Sequence, residues 1–273
     1  MNRTLFLAFL PLFLLFSCKS QSIPAVDDLA LLKNRNTITF GVKVDAPPFG
    51  MLVNGEHVGF DVDIAKAVAA KMGLKANFVG VKSSERIPFL LEGKVDAIIA
   101  SMTVSRTREQ DVDFSIPYFQ DGQALLCRSD SDIQSYQDLK GRKIGAVKGS
   151  TSHTNMLTVQ PEGEMVLFAD YDEAVQALIE GKIDTLTSDY LILSGLSTSK
   201  DSGQKLEIRG TRFTIEPYGI ALREDQSDLR DAINLSLMSI WADQIWHSIF
   251  VTWFGPGSRF ETEIDFSITV IPQ

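Results

Sequence analysis

Lys94–Glu109, KVDAIIASMTVSRTRE, decides how the rest of the chain is read. Val95, Ala97, Ile98 and Ile99 form a short apolar run of the kind buried on both faces of a parallel sheet. The run ends in hydroxyl residues, Ser101, Thr103, Ser105 and Thr107, followed closely by the guanidinium groups of Arg106 and Arg108. Ligands of open α/β sheets sit at the carboxyl ends of strands. Hydroxyls, backbone N–H groups at a helix start and a planar guanidinium together suit an anion with carboxylate geometry. The same residues also suit a capped, solvated helix start, so this stretch alone does not establish a site.

The approach to the strand occurs twice. Leu90–Ala97, LLEGKVDA, is echoed by Leu178–Thr185, LIEGKIDT, each copy ending a helix and entering a strand. In this register Ser101 of the first copy falls opposite Asp189 of the second. Upstream of the first copy the pattern predicts a strand over Thr37–Val42 and a proline-fixed loop over Lys43–Gly50. A helix over Ile64–Met72, a strand over Lys75–Val81 and a short helix over Arg86–Leu91 follow. Upstream of the second copy lie a strand over Lys143–Val147 and the glycine-hydroxyl loop Lys148–Ser152. A strand over Met165–Phe168 and an amphipathic helix over Asp172–Glu180 complete the set. Strand and helix alternate as in a parallel sheet, and they do so twice. Two extended crossings, near 123–128 and 214–222, join the two units and form a hinge. The helix-like run Ser227–Phe254 returns to the first unit.

The resulting division is 36–124 with 222–260 for the first lobe, 125–221 for the second, and 261–273 as a tail. Ahead of them, residues 1–17 carry Arg3 and the apolar run LFLAFLPLFLLF, too short to span a bilayer comfortably and typical of a signal peptide. Cys18 follows at once, in a context similar to a lipobox, which makes it the expected lipidated N-terminus. Residues 18–35 read as a polar tether. With Cys18 acylated, Cys127 has no disulfide partner, and its setting, ALLCRSD, is that of an inert strand residue. The net charge of −9 and isoelectric point near 4.9 exclude a general nucleic-acid binder. They leave open a local cationic site.

VGFDVDIAKAVAAKMG, RIPFLLEGKVDAIIASMTVSRTRE, VDFSIPYFQDGQALL, LKGRKIGAVKGSTS and EPYGIALRED occur in this order between Thr37 and Phe254. They resemble the successive signature blocks of the bacterial polar amino acid binding proteins, family 3 of the extracytoplasmic receptors of ABC importers. The resemblance implies the two-lobed α/β periplasmic-binding-protein fold of type II, with two parallel-rich sheets flanked by helices and joined by a two-strand hinge. It implies a monomer without cofactor or metal that captures an amino acid and delivers it to a permease, while a lipid anchor holds it at the membrane. Arg108 matches the arginine that clamps the ligand α-carboxylate, with Thr103, Ser101 and Thr151 donating alongside. Asp189 matches the acceptor of the α-ammonium group. Lys43 stands where receptors for basic amino acids carry an acid, and Arg86 matches an arginine of acidic amino acid receptors. That pair points to glutamate or aspartate, with glutamine or another polar amino acid as the alternative. Phe49, Ser152 and Tyr218, with Tyr118 or Phe119, complete the expected side-chain contacts. Ala46 departs from the aromatic that many relatives have there.

Cyclohexadienyl dehydratases look similar and share the two-lobed body, so an enzyme is the principal rival. Dehydration needs a general acid facing the leaving hydroxyl. The three histidines, His57, His153 and His247, supply none inside the matched blocks. A sensor domain reporting amino acids to a signalling partner is the third class.

Overall fold

The computed structural model describes residues 28–199 and 205–262. The expected signal peptide, the expected lipidation site Cys18 and nearly all of the tail lie outside the described residues. No described helix is long and apolar enough to cross a membrane.

Thr37–Lys43 is an interior strand of the first sheet, and its last four residues are all buried. It pairs in parallel with Lys75–Val81 on one side and Ala97–Ile98 on the other. The order continues antiparallel through Ala221–Leu222 to Asp113–Phe114. The second sheet repeats this plan. Glu164–Phe168, Lys143–Val147 and Thr185–Asp189 are parallel, and Gln123–Arg128 and Leu206–Arg209 add antiparallel partners. The repeated LLEGKVDA and LIEGKIDT segments therefore feed equivalent third strands. The fold is the α/β periplasmic-binding-protein fold, with mixed sheets.

The first crossing falls earlier than the spacing suggests. Phe119–Asp121 pairs antiparallel with Glu216–Tyr218 as a two-stranded ladder between the sheets. Residues 123–128 instead form a fully paired strand of the second sheet, held between Thr185–Asp189 and Leu206–Arg209. Cys127 sits on that strand, buried, with its thiol 3.3 Å from the Thr185 hydroxyl, and burial pushes the thiol pKa up.

Two further expectations are corrected. The tether reading of 18–35 stops short of Asp28–Arg35, which is a helix. Leu32 is buried there and Leu29 packs against the same core, so apolar spacing at i and i+3 outweighs the polar composition. The run Ser227–Phe254 is two helices, Ser227–Ala242 and Ile245–Phe254, broken where Gln244 takes a left-handed conformation (φ 60°). Trp246, Phe250 and Phe254 of the second helix pack with Phe49, Phe60 and the crossing residue Phe119. This aromatic cluster anchors the crossing strands to the first lobe.

Candidate functional site

The carboxyl ends of the two sheets face each other across a narrow cavity. Lys43, Ser83, Arg86, Ala100, Ser101, Thr103 and Arg108 line one wall, and Ser150, Thr151, Ser152, Tyr171, Ser188, Asp189 and Ile192 the other. Ser101 and Asp189, opposite in the sequence repeat, are thus opposite in space. Arg106 points to solvent while Arg108 is half-buried at the cavity, a division that the run SRTRE alone does not show.

Ser101 adopts φ +45°, a left-handed conformation uncommon for a serine. Buried Asp61 holds it there, accepting from the Ser101 backbone N–H at 2.7 Å, the Ser101 hydroxyl at 3.2 Å and the Tyr118 hydroxyl at 2.7 Å. Burial raises the Asp61 pKa to about 7 against the pull of these donors. The turn directs the carbonyls of Ala100 and Ser101 at Arg86, whose Nη1 donates to them at 2.9 and 3.2 Å. Arg86 Nε donates to the Ser83 carbonyl, and its Nη2 crosses the cleft to the Gly149 carbonyl at 2.8 Å. Arg108 Nη1 donates to the Thr103 carbonyl at 2.8 Å and Nη2 to the same Gly149 carbonyl at 2.9 Å. Burial, with Arg86 next, lowers the Arg108 pKa to about 9.

The second-lobe wall carries the opposite charge. Asp189 is 6% exposed and accepts from the Tyr218 hydroxyl. Burial, then the nearby Glu216 and Asp121 carboxylates, holds its pKa well above the usual range. Tyr218 reaches the site through this hydrogen bond from the crossing ladder. Tyr171 and Ser188 join their hydroxyls at 2.7 Å. Ser152 lines the cavity, and its carbonyl accepts from Gln123 at 3.0 Å.

Lys43 is buried, but it is not a free cation. Its Nζ lies 2.8 Å from Asp45 Oδ1, donates to the Ser83 hydroxyl at 2.9 Å and sits 5.3 Å from the centre of the Tyr171 ring. Burial lowers the Lys43 pKa to about 8 against the opposing field of Asp45. Asp45 Oδ2 accepts from the Tyr171 backbone N–H, whereas Oδ1 meets only the ammonium group. Asp45 escaped the sequence reading, although two residues apart on an extended chain puts it on the same face as Lys43. Phe49 lies elsewhere: it is fully buried in the aromatic cluster, 5.3 Å ring to ring from Tyr218, and does not line the cavity.

Thr103 and Thr151 do approach across the cleft, their hydroxyls 3.5 Å apart. Both donate to Glu216, a buried carboxylate of the second crossing, at 2.7 and 2.9 Å. Glu216 also escaped sequence reading; its only signal was an acid between apolar residues in TIEPYG. Among the described residues no cluster of side chains is arranged to hold a metal ion, and no histidine lines the cavity. A cationic fork facing buried carboxylates suits a small zwitterion.

Residues 38–256 match the family model for bacterial extracellular solute-binding proteins, family 3. The ABC transporter glutamine-binding protein GlnH of Bacillus subtilis is 43% identical over 233 residues, covering 83% of this chain and 84% of its own length. The glutamate-binding protein GluB of Corynebacterium efficiens is 31% identical over 248 residues, with 86% and 84% covered. Among solved structures, an ancestral arginine-binding protein bound to glutamine superposes with a TM-score of 0.78 at 38% identity. That match covers 81% of this chain and 99% of the ancestral one. These relatives are binding proteins, not enzymes.

Proposed function

Since the chain belongs to the bacterial extracellular solute-binding proteins of family 3, the receptors of amino acid ABC importers, we propose that its ligand is L-glutamine. This replaces the acidic amino acid expected from Lys43 and Arg86. The observation that carries it is the Lys43–Asp45 pair, 2.8 Å apart and buried at the cavity. An ammonium beside a carboxylate is neutral as a unit, and it offers one N–H donor and one acceptor oxygen side by side. A carboxamide matches both, its oxygen accepting from Lys43 Nζ and its NH2 donating to Asp45 Oδ1. A second ligand carboxylate would be pressed against Asp45, and a guanidinium against Lys43. Arg86, whose N–H groups already reach four backbone carbonyls, has little left to give a side-chain carboxylate. The 43% identity to a glutamine-binding relative supports the same reading.

Arg108, with Thr103, Thr151 and Ser101, takes the α-carboxylate, and Asp189 the α-ammonium group. Cys18 carries the lipid that keeps the protein outside the cytoplasmic membrane and near its permease. Calorimetric titration with glutamine, glutamate, aspartate, histidine and arginine tests the assignment. Glutamine is expected to bind most tightly; tighter binding of either acidic amino acid, or of arginine, overturns it.

A further inference from the structure

Glu216 is 2% exposed and lies where the two lobes and the second crossing meet. Its Oε2 accepts from Thr103 of the first lobe at 2.7 Å and from Thr151 of the second at 2.9 Å. Its Oε1 accepts from the Asn155 amide at 2.7 Å and the Thr214 hydroxyl at 2.9 Å. All four donors are therefore directed at one internal carboxylate. A hydroxyl carries a single proton. While Thr103 and Thr151 donate to Glu216, neither has a proton for a carboxylate in the cavity that both of them line.

We propose that Glu216 is a built-in competitor of the ligand α-carboxylate, an affinity-setting residue that holds the two threonine hydroxyls and adds repulsive negative charge behind them. This rests on the amino acid reading given above, and in particular on the α-carboxylate lying beside Arg108, Thr103 and Thr151. Binding then requires the hydroxyls to turn from Glu216 to the ligand, or leaves the carboxylate to Arg108 alone. Either way the affinity is held below what the same donors would give unopposed. A transport receptor must release its cargo, and a competitor for the cargo's carboxylate at the lobe junction favours release.

The geometry makes Glu216→Gln a clean variant. With its amide oxygen accepting from Asn155 and Thr214, its NH2 donates to the oxygens of Thr103 and Thr151. Every group keeps a partner, and both hydroxyl protons become free for the ligand. Calorimetry of wild type and Glu216→Gln with glutamine is expected to show at least tenfold tighter binding by the variant. Glutamine α-amide, which lacks the charged carboxylate, is expected to gain much less. Glu216→Ala, which removes the acceptor outright, is expected to shift glutamine binding in the same direction and serves if the glutamine variant does not melt cooperatively. Unchanged or weaker glutamine binding by a cooperatively folded variant, beside a wild type that binds, overturns the competitor role alone. A wild type that binds no amino acid overturns the amino acid reading and this inference with it.

Discussion

Arg86 and Arg108 end on the same acceptor: each donates through Nη2 to the carbonyl of Gly149, at 2.8 and 2.9 Å, from the opposite side of the cleft. The two cations are otherwise differently placed. Arg86 is 3% exposed and reaches three further carbonyls, whereas Arg108 reaches one. Arg86 thus acts as a brace for the strand ends, and Arg108 keeps donor capacity for a guest.

That difference separates their variants. Arg108→Ala removes the proposed charge-assisted contact to the α-carboxylate and is expected to weaken amino acid binding by roughly 2 to 5 kcal/mol, with little change in the melting temperature of the unliganded protein. Arg86→Met leaves buried carbonyls without donors and is expected to lower the melting temperature as well as the affinity. Paired calorimetry and thermal melts check both. Near wild-type binding by Arg108→Ala would remove the clamp from that residue.

Lys43 supplies a pH dependence with a definite sign. Its ammonium, whose pKa burial lowers to about 8, is the proposed donor to a ligand carboxamide, so on that reading the contact is present below about pH 8 and lost above it. Glutamine affinity is expected to fall as pH rises through about 8, and more steeply in wild type than in Lys43→Met. The ligand's own amine titrates identically in both proteins, so the difference between the two curves isolates Lys43. Parallel curves would show that the ammonium does not touch the ligand.

Much of this architecture was legible because it is written in local patterns. The repeated EGK segments placed Ser101 opposite Asp189, and the sheets place both on the cavity. The partners that neutralise or occupy the site were not legible. Asp45 and Glu216 lie on loop or crossing segments with no periodicity, and whether a buried cation is free depends on what the fold brings beside it. The same holds for Phe49, which the proline loop could have aimed at either the cleft or the core; contacts with Phe60, Phe119 and Phe254 put it in the core. The helix-like run 227–254 is helical on both sides of Gln244, but the break itself was not legible because a left-handed residue there carries no glycine or proline signal.

Asp61 bears on stability rather than contact with the ligand. Its folded pKa, near 7, lies above its ordinary 3.8, so between these values the folded chain binds more protons than the unfolded chain. By linkage its contribution to stability is present below about pH 4 and lost as pH rises toward 7. Asp61→Asn abolishes this titration. The stability of wild type relative to the variant is expected to decline from pH 5 to pH 8, measured by denaturant unfolding at each pH. A constant difference would mean that the three donors around Asp61 keep it ionised throughout.

Closure of the lobes is testable at Gly195, in the second-lobe helix Tyr190–Ser199. A Cβ built there would lie 2.0 Å from the Pro47 carbonyl oxygen and 3.2 Å from the Pro47 Cβ, both on the first lobe. The first of these is backbone and cannot turn aside. With the lobes apart the methyl group meets nothing from Pro47, and in a helix alanine is favoured over glycine by roughly 1 kcal/mol. Gly195→Ala is therefore expected to leave the unliganded protein as stable as wild type or slightly more so, while preventing the lobes from meeting. One direct tie across the cleft, the Lys82–Asp170 pair, 3.0 Å apart, has its lysine exposed and is worth little in water. Small-angle scattering is expected to show wild type contracting on addition of glutamine, and the variant contracting less and binding more weakly. Full contraction and wild-type affinity in Gly195→Ala would mean that the ligand is held without this approach of helix to proline loop.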